Sequence, residues 1–353
     1  MSDLTRMLQE TVTDAVAEKR PLQLIGGGTR SFYGRTPKGD PLQLAGHTGI
    51  INYQPKELVI TARAGTLLSE IESVLAEQGQ VLAFEPPRFG EGSTIGGVIA
   101  SGLSGPARPF NGSTRDFVLG ARVINGQGEI LRFGGEVMKN VAGYDLSRLM
   151  CGALGTLGLL LDVSLKVMPR AVVERTQVRS CSEAEALALF RELAGKPLPI
   201  TAACFTDGQL CLRLSGSRPA VLAAAQRVGG EELDQAAAFW VGVRDLQHPS
   251  LASDRPLWRI SLPATATPIE GIESTGFIDW GGAQRWLSGR RDVTPLRDQA
   301  ESLGGHATLF RGGDRDSEVF QPLQPTLLDF HQRLKRALDP VGIFNPGRLY
   351  PQL

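Results

Sequence analysis

Gly26-Gly27-Gly28-Thr29-Arg30-Ser31 follows the apolar stretch Leu22-Gln23-Leu24-Ile25, and Gly34, Pro37, Gly39 and Pro41 come directly after it. A strand running into glycines is how a dinucleotide-binding βαβ unit begins, and the run nearly spells GxGxxG. Such a unit needs a helix immediately after the loop, and the prolines and glycines that follow here forbid one. The loop can still cradle a pyrophosphate, because successive N–H groups in a tight turn form an anion nest. It would do so without a helix dipole behind it. On these residues alone, a set of tight turns in a β-rich domain stays open as the lesser alternative.

Two further clusters extend the pattern. The chain has 42 glycines in 353 residues, and 25 of them fall between Gly26 and Gly158. The second cluster, Gly92-Ser93-Thr94-Ile95-Gly96-Gly97-Val98-Ile99-Ala100-Ser101-Gly102, sits behind Pro86-Pro87 and places Thr94 to N-cap a short helix. The amides of that helix's first turn would then face an anion, with Gly96 and Gly97 carrying no side chain to block its approach. The third cluster, Gly152-Ala153-Leu154-Gly155-Thr156-Leu157-Gly158, again precedes a strand. Glycine concentrates where a ligand must touch the main chain, so three clusters point to one large anionic ligand.

Composition narrows the setting. Lysine plus arginine and aspartate plus glutamate both number 37, and this zero net charge argues against a general nucleic-acid binder. The longest uncharged stretch, Gly92 to Ala107, is too short and too polar to span a bilayer. Cys151, Cys181, Cys204 and Cys211 form no CxxC pair, so no zinc ribbon or iron-sulfur cluster is expected on this chain, and a reducing cytoplasm is the simplest setting. Asp3, Glu10, Asp14 and Glu18 with no apolar h-region between them lead one to expect no signal peptide over Met1 to Gln23. Leu4, Met7, Leu8, Val12, Ala15 and Val16 recur at helical spacing behind an N-cap at Ser2 or Asp3, and Thr66 is placed to cap a second helix ending at Glu77. Asn125-Gly126-Gln127-Gly128 between two apolar runs predicts a hairpin. From about Val172 alanine-rich helical runs alternate with short strands, which reads as a separate α+β unit, and Leu327 to Leu338 reads as an amphipathic helix.

The order of the glycine loop, Ala64-Gly65, Pro86-Pro87, Thr94-Ile95-Gly96-Gly97, Gly112, Arg115-Asp116, Lys139, Gly143-Tyr144-Asp145-Leu146, Gly155-Thr156-Leu157-Gly158 and Asn345-Pro346-Gly347 resembles the vanillyl-alcohol-oxidase-type (PCMH-type) FAD-binding family. The segment Gly134 to Met150, with Ile278-Asp279-Trp280-Gly281-Gly282-Ala283 and Gly304-Gly305-His306-Ala307-Thr308, is more closely similar to the FAD-binding E subunits of bacterial three-subunit glycolate oxidases. The resemblance implies an α+β fold: a two-subdomain FAD-binding domain over residues 1–170, split near 83, an α+β cap over 171–325, and a returning segment over 326–353. It implies FAD, held non-covalently because no histidine lies in the first loop. Carried over by position, Gly26, Gly27, Gly28, Thr29, Arg30, Ser31, Pro87, Ser93, Thr94, Gly96 and Gly97 would hold the pyrophosphate. Ser101, Gly102, Gly112, Ser113 and Asp116 would line the flavin side, and Gly155, Thr156, Gly158 and Val163 would approach the ribityl chain and adenine. The implied substrate is glycolate. The implied partners are a sister FAD-binding catalytic subunit and an iron-sulfur subunit, at the cytoplasmic face of the plasma membrane, with no nucleic acid.

Catalysis is where the chain departs from this pattern. Related 2-hydroxy-acid dehydrogenases carry a glutamate where Leu154 stands, and a histidine-rich motif in the cap where this chain offers only His248 and His306. His306 is the one catalytic candidate, and no metal ligand set is expected. A scaffold subunit without its own turnover and a free-standing D-2-hydroxy-acid dehydrogenase are the alternatives. Trp240, Trp258, Trp280 and Trp286, the last beside Arg285, Arg290 and Arg291, read either as cap core or as an interface. Lys139, Arg108 and Arg115 are expected either to neutralise phosphate or flavin or to be solvated.

Overall fold

A computed structural model describes residues 2–135, 146–252, 254–269, 276–289 and 291–353. Lys139, Tyr144, Asp145 and Arg290 lie outside the described residues. The chain divides into two units, the first made of Met1–Leu103, Ser113–Pro169 and Arg315–Leu353, the second of Ser104–Gly112 and Arg170–Asp314. Both mix helix and sheet, which makes the fold α+β.

The first unit is built on an antiparallel five-stranded sheet in the order Ile50–Gln54, Val59–Arg63, Leu159–Lys166, Val118–Ile124, Ile130–Gly134. Its central strand, Leu159–Lys166, is buried along nearly its whole length, because the sheet is covered on both faces. Leu160, Val163 and Leu165 pack with Leu68, Ile71 and Leu75 of one helix and Ile95, Val98 and Ile99 of another. Leu159 and Leu161 pack against Leu8, Val12 and Ala15 of the N-terminal helix and against Ile343 and Phe344 near the C-terminus. An uninterrupted apolar run is the sequence signature of such a doubly covered strand. A separate parallel pair, Leu22–Ile25 with Asp40–Gln43, carries the first glycine loop.

The second unit holds an eight-stranded sheet in the order Glu231–Glu232, Val173–Ser180, Gln209–Gly216, Ile200–Thr206, Phe277–Asp279, Gln284–Ser288, Leu257–Ser261, His306–Arg311. Ala186, Leu187 and Phe190 of the helix Glu183–Ala194 pack on Phe205, Leu212 and Ile278 from this sheet. The four tryptophans are all buried, at 3%, 4%, 9% and 4% exposure in chain order, and Arg285 is fully buried on the carbonyls of Ala266 and Thr267. These residues are core, and the interface reading does not hold for them.

The two N-caps differ from expectation. The first helix runs Thr5–Glu18 without a side-chain cap hydrogen bond, although Asp3 Oδ1 accepts the Thr5 amide at 3.0 Å. The second begins at Leu68, and the Thr66 hydroxyl accepts from Gly49 N at 2.9 Å across a turn instead of capping it. The hairpin at 125–128 and the C-terminal helix, Pro325–Leu338, form as the sequence predicts.

Candidate cofactor site

The first loop leaves the strand Leu22–Ile25 and lines a cleft in the first unit with an empty volume of about 740 Å³. The amides of Gly26, Gly27, Gly28 and Thr29 have no hydrogen-bond acceptor among the described residues. Four consecutive unspent donors on a cleft wall can act as an anion nest. Two glycines are demanded there for different reasons. A Cβ on Gly27 would stand 1.5 Å from Gly92 O, so the first and second clusters touch backbone to backbone. Gly28 adopts φ +72 in open space, a left-handed conformation that a side chain resists.

Arg30, 9% exposed, braces the loop. Its Nη1 donates to Thr29 Oγ1 at 3.1 Å and to Ser93 Oγ at 2.8 Å, and its Nη2 donates to Pro87 O. Pro87 and Ser93 are thus reached by Arg30 and lie outside the cleft lining, so they position the loop.

The second cluster corrects an expectation. Thr94 does N-cap the helix Ile95–Ser101, its Oγ1 accepting from Gly97 N at 3.3 Å. The first-turn amides are not left for a ligand, however: Ile95 N donates to Thr66 O at 2.9 Å and Gly96 N to Ala64 O at 2.8 Å. The helix end is consumed by the protein, and the loop at 26–29 carries the free donors. Thr94, Gly96 and Gly97 still line the cleft, and Ser101 joins them on the side that includes the loop.

A continuation of about 600 Å³ shares Gly26, Thr94, Gly97 and Leu154 with the first cavity and reaches Gly155 and Gly158. What closes this wall was missed by the sequence reading. Asn345 lines both cavities; its Nδ2 donates to Leu154 O at 2.7 Å and its Oδ1 accepts from Leu24 N at 2.9 Å. Behind it Lys335 Nζ donates to Thr156 O at 2.6 Å, Phe344 O at 2.8 Å and Asp339 Oδ2 at 2.7 Å. Asp339 in turn accepts the amides of Gly342, Ile343 and Phe344 at 2.9–3.1 Å. Burial lowers the Lys335 ammonium from its ordinary value, and Asp339 opposes that shift. The only sequence signal was the Asn345-Pro346-Gly347 motif, a few residues after the amphipathic helix that carries Lys335.

The remaining residues take structural places. Gly102 closes the helix Ile95–Ser101 at φ +63, and Gly112 ends the turn Arg108–Asn111 in the second unit, where the Arg108 guanidinium stacks 4.5 Å from the Trp280 ring. Ser113 and Asp116 form a capping box: Asp116 Oδ2 accepts from Ser113 N at 2.8 Å and Ser113 Oγ at 2.7 Å. Burial raises the Asp116 pKa, but the Ser113 bonds and Arg115 outweigh it and leave it lowered. Thr156 turns its hydroxyl onto Ala153 O at 2.7 Å, and Val163 is in the sheet core. His306 is exposed on an edge strand, while His248 packs edge-on between Phe239 and Phe277. Among the described residues no group of three or more His, Cys, Asp or Glu side chains could hold a metal, and no helix is long and apolar enough to cross a membrane.

A glycine loop with free amides in one α+β unit, followed in the same chain by a second sheet-bearing unit, is the architecture of PCMH-type FAD-binding proteins. The fold is shared with p-cresol methylhydroxylase with substrate bound, at 16% identity and TM-score 0.74 over 98% of this chain and 87% of that one. Residues 5–134 match the family of FAD binding domains, and FAD is the cofactor that loop and family define. Over 351 residues the chain is 48% identical to glycolate oxidase subunit GlcE of Escherichia coli (strain K12), covering 99% of both. It is 30% identical over 202 residues to glycolate oxidase subunit GlcD of Bacillus subtilis (strain 168), which covers 56% of this chain and only 43% of that one. The chain belongs to the glycolate oxidase E-subunit family.

Proposed function

We propose that this chain is the FAD-binding subunit of a complex that oxidises glycolate to glyoxylate, with an FAD-bearing sister subunit and an iron-sulfur subunit as partners. The observation that carries the reading is the end-to-end similarity to a glycolate oxidase subunit, joined to four free amides on the wall of a cleft. Bound FAD supplies the acceptor for a hydride from an α-hydroxy carbon. The chain's own residues do the holding: amides 26–29 take the diphosphate, Arg30 fixes their loop, and Asn345 fixes the far wall. The first unit acts as the flavin domain and the second as its cap, so the boundaries expected at 170 and 325 shift to Pro169 and Arg315, and Ser104–Gly112 goes with the cap. Electrons leave through the iron-sulfur partner, and partner contacts hold the complex at the inner face of the plasma membrane.

Substrate turnover resides mainly in the sister subunit. His248 is committed to an aromatic cluster and Leu154 stands where related dehydrogenases place a glutamate, so this chain supplies few groups for proton transfer. The test is co-purification of the untagged partners followed by anaerobic glycolate addition to the complex and to this chain alone. Bleaching of the flavin in the complex and not in the isolated chain is expected. Rapid bleaching in the isolated chain would overturn the division of labour.

A further inference from the structure

Arg348 is a buried cation with no carboxylate bonded to it among the described residues. It is 7% exposed. Its Nη1 donates to Arg35 O at 2.6 Å, and its Nη2 donates to Tyr33 O at 2.6 Å and Ser31 O at 3.0 Å. Arg315 adds two bonds to Gly34 O, at 2.6 and 3.0 Å. The two guanidinium groups thus take up the carbonyls of residues 31, 33, 34 and 35, just after the glycine loop. The amides of residues 26–29 remain unspent at the cleft that Arg348 also lines. Carbonyl dipoles replace only part of the hydration a buried cation gives up, and such a charge ordinarily sits against an anion. Burial and the neighbouring Arg315 push the Arg348 guanidinium down to about 10, so it stays charged at neutral pH. The cleft therefore offers free N–H donors and a buried positive charge on one side, and the anion that would complete this arrangement has to come from the ligand.

We propose that Arg348 is a determinant of cofactor choice, supplying counter-charge to the phosphates of the flavin so that the cleft selects FAD over the phosphate-free riboflavin. The inference rests on the FAD reading above and extends it to a residue on the C-terminal segment, some 320 positions from the loop it serves. A brace that merely shapes the segment 31–35 would act on any flavin alike, and that difference decides the test.

The full-length chain, freed of flavin, is titrated with FAD and with riboflavin as wild type, Arg348→Lys and Arg348→Gln. Arg348→Gln should weaken FAD at least about tenfold, roughly 1.4 kcal/mol, while changing riboflavin less than about twofold. Arg348→Lys, which keeps the charge and loses the planar fork, should fall between. Equal weakening of both flavins, or no weakening of FAD, overturns the proposal and leaves the cofactor reading intact. A wild-type chain that binds neither flavin overturns both. Should Arg348→Gln fail to fold, the wild type in rising potassium chloride gives the same contrast: FAD affinity falls several-fold and riboflavin affinity does not, whereas equal slopes overturn the role.

Discussion

Asn345 clamps Leu154 across 191 residues of chain, its Nδ2 donating to the Leu154 carbonyl at 2.7 Å. The clamp matters because Leu154 adopts φ +50, a left-handed conformation that a leucine holds only when its surroundings insist. The Leu154 amide is fixed as well, donating to Ala100 O at 2.8 Å. The other end of the Asn345 side chain takes the Leu24 amide, on the strand that feeds the glycine loop. One amide group therefore ties two of the three glycine clusters to the C-terminal segment.

Replacing Asn345 with Ala orphans a buried donor and a buried acceptor, each costing about 1–3 kcal/mol. A total of about 3 kcal/mol is expected in chemical denaturation, together with weaker FAD binding. A variant with unchanged denaturation midpoint would show that the clamp carries no energy.

Gly27 and Gly28 are adjacent and should respond differently. Gly27→Ala drives a Cβ into the Gly92 carbonyl, 1.5 Å away, and backbone must move to admit it. Loss of flavin binding is expected. Gly28→Ala meets nothing within 4 Å and carries only the conformational cost of φ +72, about 1 kcal/mol. Equal behaviour of the two in a flavin titration would contradict the account of the loop.

The glycine clusters, the prolines that exclude a Rossmann helix, the hairpin at 125–128 and the C-terminal helix were legible in the sequence, because each depends on residues close together in the chain. The state of the amides of Ile95 and Gly96 was not. Whether they are free depends on Ala64 O and Thr66 O, and no local pattern says that those carbonyls arrive there. Asn345, inside a motif already noticed, and Arg348, directly after it, escaped for the same reason: their partners lie more than 190 positions away.

Lys335 and Asp339 form an ion pair that is 7% and 1% exposed. Lys335→Met leaves Asp339 without its cation and the carbonyls of Thr156 and Phe344 without a donor. Breaking a buried pair this way costs about 3–5 kcal/mol. Denaturant unfolding measures it, and a loss below about 1 kcal/mol would show that the pair is dispensable.

His47 gives a pH dependence. It is 1% exposed and accepts the Leu4 amide on Nδ1 at 3.0 Å. Burial holds its pKa below the ordinary 6.5; Asp3 opposes the shift, and Arg63 and Arg122 reinforce it. The unfolded chain therefore takes up the proton first as pH falls. The contribution of His47 is complete above about pH 6.5 and drains away as pH falls through the lower folded value. Thermal unfolding between pH 8 and pH 5 should show this drop, and His47→Asn, which keeps an acceptor for Leu4 N and removes the titration, should flatten it. An equally steep profile in the variant would assign the loss elsewhere.

The central claim is that the unspent amides of residues 26–29 hold FAD without a covalent bond. The most direct measurement is the flavin content of this subunit, purified with its partners, separated and then denatured with acid. The account predicts one FAD per chain, released intact into the supernatant, with Gly27→Ala releasing none. A wild-type chain without flavin, or with flavin that stays attached to the denatured protein, would contradict it.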